Sequence, residues 1–236
     1  MKYAVFITGA AGSAKSTTTH LLHEHYQVIH RRCTVFNLDP ACDYLPYEPA
    51  IDIRDLVTAQ EVQDFVQLGP NGALIYAFQH FFKNEREFLA ENLDYEDDFL
   101  IFDCPGQIEL YVQNDDLQRF AAQLQRKGYE CCCLYLIDST KLTEKKSILT
   151  NLLISQCVQM NMRLPFILVA SKCDLVDENE IQDLLEDDCS DNEFYTELNA
   201  LIKAQGLTEI NYLRWDSEEA AGMLQGEIDH AFHFGE

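Results

Sequence analysis

The stretch Gly9-Ala10-Ala11-Gly12-Ser13-Ala14-Lys15-Ser16-Thr17 sets small residues beside one lysine and three hydroxyls. Small side chains let consecutive backbone N–H groups curl round an anion, and a neighbouring ammonium can meet the β- and γ-phosphate oxygens of a nucleotide. Ser16 is placed to hold Mg²⁺, and the N-terminus of the helix expected here adds partial positive charge. Gly12, Ser13, Ala14, Lys15, Ser16 and Thr17 are therefore candidate nucleotide contacts. The signature G-x-x-x-x-G-K-[ST] has glycine where this chain has Ala14; a methyl there crowds the phosphate or bars a backbone angle open to glycine. An ordinary strand-to-helix turn would also be rich in Gly, Ala and Ser, but it leaves Lys-Ser at the helix mouth unexplained.

Two more constellations point to the same chemistry. Asp103-Cys104-Pro105-Gly106-Gln107 follows the apolar run Phe99-Leu100-Ile101-Phe102. In this D-x-x-G spacing Asp103 would lie near Mg²⁺ or its water shell, the Gly106 N–H would sense a γ-phosphate, and Gln107 would orient a water. Asp39, at the end of the run Cys33 to Leu38, is placed for the same metal shell or for a catalytic water, with a simple turn aspartate as the alternative. Ser171-Lys172-Cys173-Asp174 is similar to the guanine-reading signature N-K-x-D, with serine in the first place. Asp174 can accept from the guanine N1–H and N2–H₂, which adenine does not offer, while the Lys172 stem packs over the ring. Asp216, in a turn after a short apolar run, would close over the base.

These residues need strands and helices to hold them. Apolar, β-prone runs at Tyr3–Thr8, Cys33–Leu38, Asp98–Asp103, Glu130–Asp138, Pro165–Ala170 and Ile210–Trp215 read as strands. Helical patterns fill the gaps, at Thr17 to His25, Glu61 to Leu68, Ala73 to Asn92, onward to Lys127, Thr143 to Met162, and Glu218 to Phe232. Asp52 is expected to cap a helical turn at Ile53-Arg54-Asp55-Leu56, and Gly69-Pro70-Asn71-Gly72 by itself reads as a turn. The aromatic stripe Tyr76, Phe78, Phe81, Phe82 and Phe88 reads as core or interface. Strand–helix alternation of this kind predicts a mostly parallel sheet with helices on both faces.

Composition narrows the function classes. The chain has 236 residues, 47% of them apolar, which suits one large α/β domain over 1–236. Seventeen Lys+Arg against 40 Asp+Glu give a net charge of −23, which repels phosphate backbones and anionic lipid. Direct nucleic-acid or membrane binding is therefore not expected, and basic protein partners are. No run reaches the roughly 20 apolar residues of a membrane helix, and the N-terminus shows no secretory pattern, so a soluble, intracellular chain is expected. Nine cysteines, an odd number with no C-x-x-C pair, read as reduced thiols; Cys131, Cys132 and Cys133 would alternate across a strand. His230 and His233 have no companion ligands and read as no metal site. The acid-rich segment Asp177 to Asp191 reads as a solvated face.

Together the motifs resemble the GPN-loop GTPases. The resemblance rests on Val35-Phe36-Asn37-Leu38-Asp39-Pro40-Ala41, Ile51-Asp52-Ile53-Arg54-Asp55-Leu56, Leu68 to Tyr76 with Gly69-Pro70-Asn71-Gly72 inside it, and Phe102 to Tyr111. It implies a SIMIBI-class P-loop fold: a mostly parallel sheet between helix layers, with a helical insertion. It also implies dimers, with a paralogous GPN-loop chain or with a second copy, in which Asn71 of one subunit reaches the phosphates held by the other. GTP or GDP and Mg²⁺ are the implied cofactors, with Asp39, Asp103 and Gln107 serving metal and water. RNA polymerase II subunits are the implied protein partners, during assembly and nuclear import, which places the chain in the cytoplasm with shuttling to the nucleus. Two positions depart from the family's loop: Ala10 stands where proline is usual and Ala14 where glycine is. The last helix is followed by no long tail before Glu236.

Three functions compete at this point. One is Mg²⁺-dependent GTP hydrolysis by a dimeric switch. The second is an assembly or import adaptor with weak or absent turnover, motivated by Ala14. The third, a small-molecule kinase, would need an arginine-rich acceptor lid, whereas the segment after Asp103 offers chiefly Arg119 and Arg126.

Overall fold

The computed structural model describes residues 2–83, 99–186, 193–204, 210–215, 217 and 219–233. Its strands are β1 (Lys2–Gly9), β2 (Thr34–Asn37), β3 (Ile51–Asp52), β4 (Phe99–Asp103), β5 (Tyr129–Asp138), β6 (Phe166–Ser171) and β7 (Asn211–Tyr212). They form one 7-stranded sheet in the order β3-β2-β4-β1-β5-β6-β7, and every pairing is parallel. The central strands are buried on both faces, so their middles (Ala4 to Ile7, Phe99 to Phe102 and Cys131 to Ile137) are unbroken apolar runs rather than alternating ones.

Strict in-out alternation divides the core into two layers. Ala4, Phe6, Phe102, Cys131 and Cys133 face one side, while Val5, Ile7, Ile101, Cys132 and Leu134 face the other. On the first side lie α2 (Ala59–Val66), α3 (Pro70–Lys83), α4 (Glu109–Val112), α5 (Asp116–Arg126), α6 (Lys145–Met162), α7 (Glu178–Glu186) and α8 (Glu193–Ala204), several of which pack on the sheet. The second side is covered by α1 (Lys15–Val28) and α9 (Ala220–His233), through Leu22, Tyr26, Leu224 and Ile228. Phe120 of α5 sits edge-on to Phe6, Phe102 and Phe82, with centroids 6.1, 5.2 and 5.3 Å away. The expected architecture, a parallel sheet flanked by helices on both faces, is therefore the observed one.

The differences from expectation are local. Gly69-Pro70-Asn71-Gly72 is not a free turn: α3 begins at Pro70, where a missing N–H costs nothing, and the Ala73 N–H donates to the Gly69 carbonyl at 2.9 Å. Residues Ile51–Asp52 add an edge strand that two residues could not announce. Helix α2 starts at Ala59, because Thr58 and Glu61 close a reciprocal capping box. The helix expected up to Lys127 is two helices, parted where the Asn114 side chain accepts from the Asp116 N–H. Phe78, Phe81 and Phe82 are core as expected, Tyr76 is exposed, and Phe88 lies outside the described residues. Among the described residues no cluster of His, Cys, Asp or Glu could hold a metal by itself, and no helix is long and apolar enough to cross a membrane.

Candidate functional site

The C-terminal ends of β1, β2 and β4 bring the loop at Gly9, the segment after Asp39, and Asp103 to one edge of the sheet. Gly9 pairs with Leu136 and adopts φ +137°. A Cβ on Gly9 would stand 2.4 Å from the Leu136 carbonyl oxygen and 2.8 Å from Ser13 Oγ, so only glycine fits the turn. Gly12 has φ +78°. Ala14 holds φ 65° and ψ 32°, the left-handed region that glycine would occupy at ease.

That geometry predicts the effect of Ala14→Gly. Relief of left-handed strain gains about 1–2 kcal/mol, and the extra freedom of the unfolded chain offsets about 0.4–1 kcal/mol. A net gain near 0.5–1 kcal/mol is expected in urea denaturation. A loss of stability would mean that the Ala14 methyl has a packing role that outweighs its strain.

Helix α1 starts at Lys15 with its N-terminus open to the cleft. Lys15 is only 8% exposed, and its Nζ donates to the Ala10 carbonyl at 3.1 Å. Burial lowers its pKa, while Asp103 and Asp39 pull the other way and keep the ammonium among anionic neighbours. Ala11, Gly12, Ala14, Lys15, Ser16, Thr17, Asp39, Gly106 and Gln107 all border a cleft of about 310 Å³. Gly106 touches the loop so closely that a Cβ there would meet Ala11 Cα at 2.8 Å.

Asp39 and Asp103 converge through the sheet: the Leu38 N–H donates to the Asp103 carbonyl at 2.8 Å. Asp39 Oδ1 accepts from the Ala41 N–H, and its own N–H donates to Asn37 Oδ1. Burial raises its pKa despite the Ala41 N–H, Lys15 and Arg54. Asp103 is 1% exposed, and Oδ2 accepts a 2.7 Å hydrogen bond from the Tyr47 hydroxyl. Its pKa is pushed up to about 6, chiefly by burial and with help from Asp39; Tyr47, the Ser16 hydroxyl and Lys15 act against this. Asp103 Oδ1, Gln107 Oε1 and Ser13 Oγ are buried and have no hydrogen-bond partner. Such orphaned oxygens and hydroxyls are costly unless a further group completes them.

The base end is built differently from expectation. Ser171 is fully buried, and its hydroxyl lies 2.9 Å from the Ser13 carbonyl and 3.1 Å from that of Ile137. It therefore props the phosphate loop against β5 and does not turn toward a base. Lys172 holds φ 62° and pairs with Asp138 Oδ2 at 2.7 Å. Burial works against the ionised form of Asp138, yet Lys172 and Thr140 hold its pKa below the usual carboxylate value. Asp174 stays partly open, with Oδ1 3.5 Å from the Trp215 N–H, and the Leu213 carbonyl accepts from the Cys173 N–H. Asp216 lies outside the described residues. Asn71 is exposed at the start of α3 and does not line the cleft.

Tyr47 and Asp138 were not among the residues singled out from the sequence. Neither carries a local signal, because each meets its partner across the fold, Tyr47 over 56 positions and Asp138 over 34.

Residues 7–234 match the family described as a conserved hypothetical ATP binding protein. Over its whole length the chain is 32% identical to GPN-loop GTPase 3 of Mycosarcoma maydis, covering 93% of that protein. It is 31% identical to GPN-loop GTPase 3 of Dictyostelium discoideum, covering 88% of it, and 32% identical to that of Danio rerio, covering 89%. Among solved structures, a GTPase in apo form from Pyrococcus abyssi superposes with a TM-score of 0.80 over 98% of this chain and 97% of that one, at 22% identity. Full-length similarity at this level, in a chain whose phosphate-type loop and paired aspartates meet at one edge of the sheet, assigns the chain to the GPN-loop GTPase family.

Proposed function

We propose that the chain binds GTP with Mg²⁺ and hydrolyses it as one half of a dimeric switch. The observation that carries this reading is a cleft bordered by Lys15, the open end of α1, Asp39 and Gln107, whose Oε1 is buried and unpartnered; the unpartnered Asp103 Oδ1 and Ser13 Oγ belong to residues beside that lining, not in it. A triphosphate with a hydrated divalent cation would supply partners for the Lys15 ammonium and for the Gln107 and Asp103 oxygens. Backbone N–H groups of Gly12 and of Ala14 to Ser16 would hold the phosphates, and Lys15 would release the Ala10 carbonyl, which keeps the Ser13 N–H, to meet the β/γ oxygens. Ser16, Asp103 and Asp39 would hold the cation or its waters, which supplies charge neutralisation at the transferring phosphate. Gln107 would position the attacking water, and Gly106 would report the γ-phosphate to the loop it touches at Ala11. Asp174 would read guanine, with Lys172 held over the ring by Asp138.

The dimer has its own support. Asn71 is exposed and away from its own cleft, and Phe65, Val66, Leu68 and Tyr76 nearby are exposed apolar residues, Phe65 to 87%. In this reading Asn71 reaches the phosphates of a second copy or of a paralogous GPN-loop chain. The family resemblance extends the reading to RNA polymerase II subunits as cargo, in the cytoplasm and with passage to the nucleus; the net charge of −23 suits basic protein partners and not nucleic acid.

The strained Ala14 favours a second reading, an adaptor with little turnover. Calorimetric titration of the nucleotide-stripped chain with GTP, GDP and ATP, each with and without Mg²⁺, separates the two. Micromolar or tighter GTP binding with weak ATP binding supports the switch. No heat with any nucleotide, and binding restored by Ala14→Gly, supports the adaptor.

A further inference from the structure

We propose that Tyr47 is a positioning residue, whose hydroxyl fixes one oxygen of Asp103 and ties the segment from Asp39 to Ala50 to the cation side of the cleft. The inference rests on the nucleotide reading above and adds a residue that the reading does not use. Tyr47 is 8% exposed and packs in the apolar layer beneath α1, with Leu45 beside it. The phenol hydroxyl is the donor in the contact with Asp103, because an ionised carboxylate can only accept. One hydrogen bond therefore divides the work of the Asp103 carboxylate. Oδ2 is held at 2.7 Å by Tyr47, while Oδ1, buried and without a hydrogen-bond partner but in a carboxylate that also feels the Ser16 hydroxyl, is the oxygen that would meet a cation-bound water.

The same contact is the middle anchor of a long connection. Asp39 lines the cleft and is fixed by Asn37 and Ala41. The Cys42 carbonyl accepts from Arg54 Nη1 at 2.8 Å, with Arg54 itself gripped by Asp52. The Ala50 N–H returns to the Val35 carbonyl at 2.9 Å. Between Cys42 and Ala50, Tyr47 is the residue whose side chain reaches the acid at the site. Anything that draws Asp103 toward a cation is thus felt by this segment, and anything that lifts the segment frees the carboxylate to rotate.

Tyr47→Phe keeps the ring in its slot and removes only the donor. Binding of a fluorescent GDP analogue is measured against Mg²⁺ concentration, beside the wild-type chain and Tyr44→Phe, whose ring is 79% exposed. The Mg²⁺ concentration for half-maximal effect should rise about tenfold in Tyr47→Phe, as for loss of an outer-shell partner. Affinity in EDTA and the behaviour of Tyr44→Phe should stay unchanged. Limited proteolysis between Cys42 and Ala50 gives a second readout: Mg²⁺ with GDP should protect the wild-type segment and fail to protect it in Tyr47→Phe. If the wild-type chain responds to Mg²⁺ and Tyr47→Phe responds identically in both assays, the inference is overturned alone. If the wild-type chain binds no nucleotide, or binds it without regard to Mg²⁺, the underlying reading falls and takes this one with it.

Discussion

Gly9→Ala should cost about 3–5 kcal/mol of folding stability, the sum of a strained backbone angle and a forced overlap. The overlap is with main chain: the new Cβ would stand 2.4 Å from the Leu136 carbonyl oxygen, and Gly9 is the last residue of β1 in register with β5. Neither strand can retreat without breaking the central pairing of the sheet. The total stability of a domain is only about 5–15 kcal/mol, so the variant should unfold at much lower urea and accumulate poorly. Gly12→Ala is the internal control. Its φ of +78° is also left-handed, but a Cβ there meets nothing within 4 Å, so it should cost only the strain, about 1–2 kcal/mol. Equal urea midpoints for the two variants would show that the overlap at Gly9 is relieved by movement and that the loop is softer than its geometry implies.

How far the site could be read from sequence depends on how local each part is. The phosphate-type loop, the D-x-x-G segment and the central strands are local patterns, and the structure places them together as the spacing implies. Their strands are buried on both faces, so unbroken apolar runs such as Phe99 to Phe102 could be nothing else once helices flank them. The three consecutive cysteines alternate between the two layers for the same reason. The failures are of two kinds. Short or capped elements leave no clear pattern, as with the two-residue β3 and the start of α3 at Pro70, where a turn and a first helical turn share the same residues. Long-range side-chain contacts were invisible: Tyr47 with Asp103, Asp138 with Lys172, and the Ser171 hydroxyl against Ser13 depend on which strand ends meet. The last of these changes the meaning of a motif. A serine in the first place of the guanine-type signature still braces the phosphate loop, because that job needs only one hydroxyl.

Asp103→Asn should make the chain more stable and the enzyme about 100-fold slower, and the opposite signs are the substance of the prediction. Asp103 titrates near 6 in the folded chain, above its ordinary value of 3.8, chiefly because it is buried. A raised folded pKa means that the folded state prefers the proton. Below the unfolded value this contribution to stability is fully present; it is lost as pH rises through about 6. At pH 7 the folded chain therefore carries a buried anion at a cost on the order of 2–3 kcal/mol. Asparagine keeps an acceptor for the Tyr47 hydroxyl and removes the charge. Its gain in thermal midpoint should thus be largest at pH 7 and fade toward pH 4. The same charge is what a divalent cation would repay, so Mg²⁺ with nucleotide should stabilise the wild-type chain strongly and the variant weakly. A variant that is less stable than wild type at pH 7 would mean that Lys15 and Ser16 already compensate the carboxylate in full. A variant that turns over GTP at the wild-type rate would remove Asp103 from the reaction.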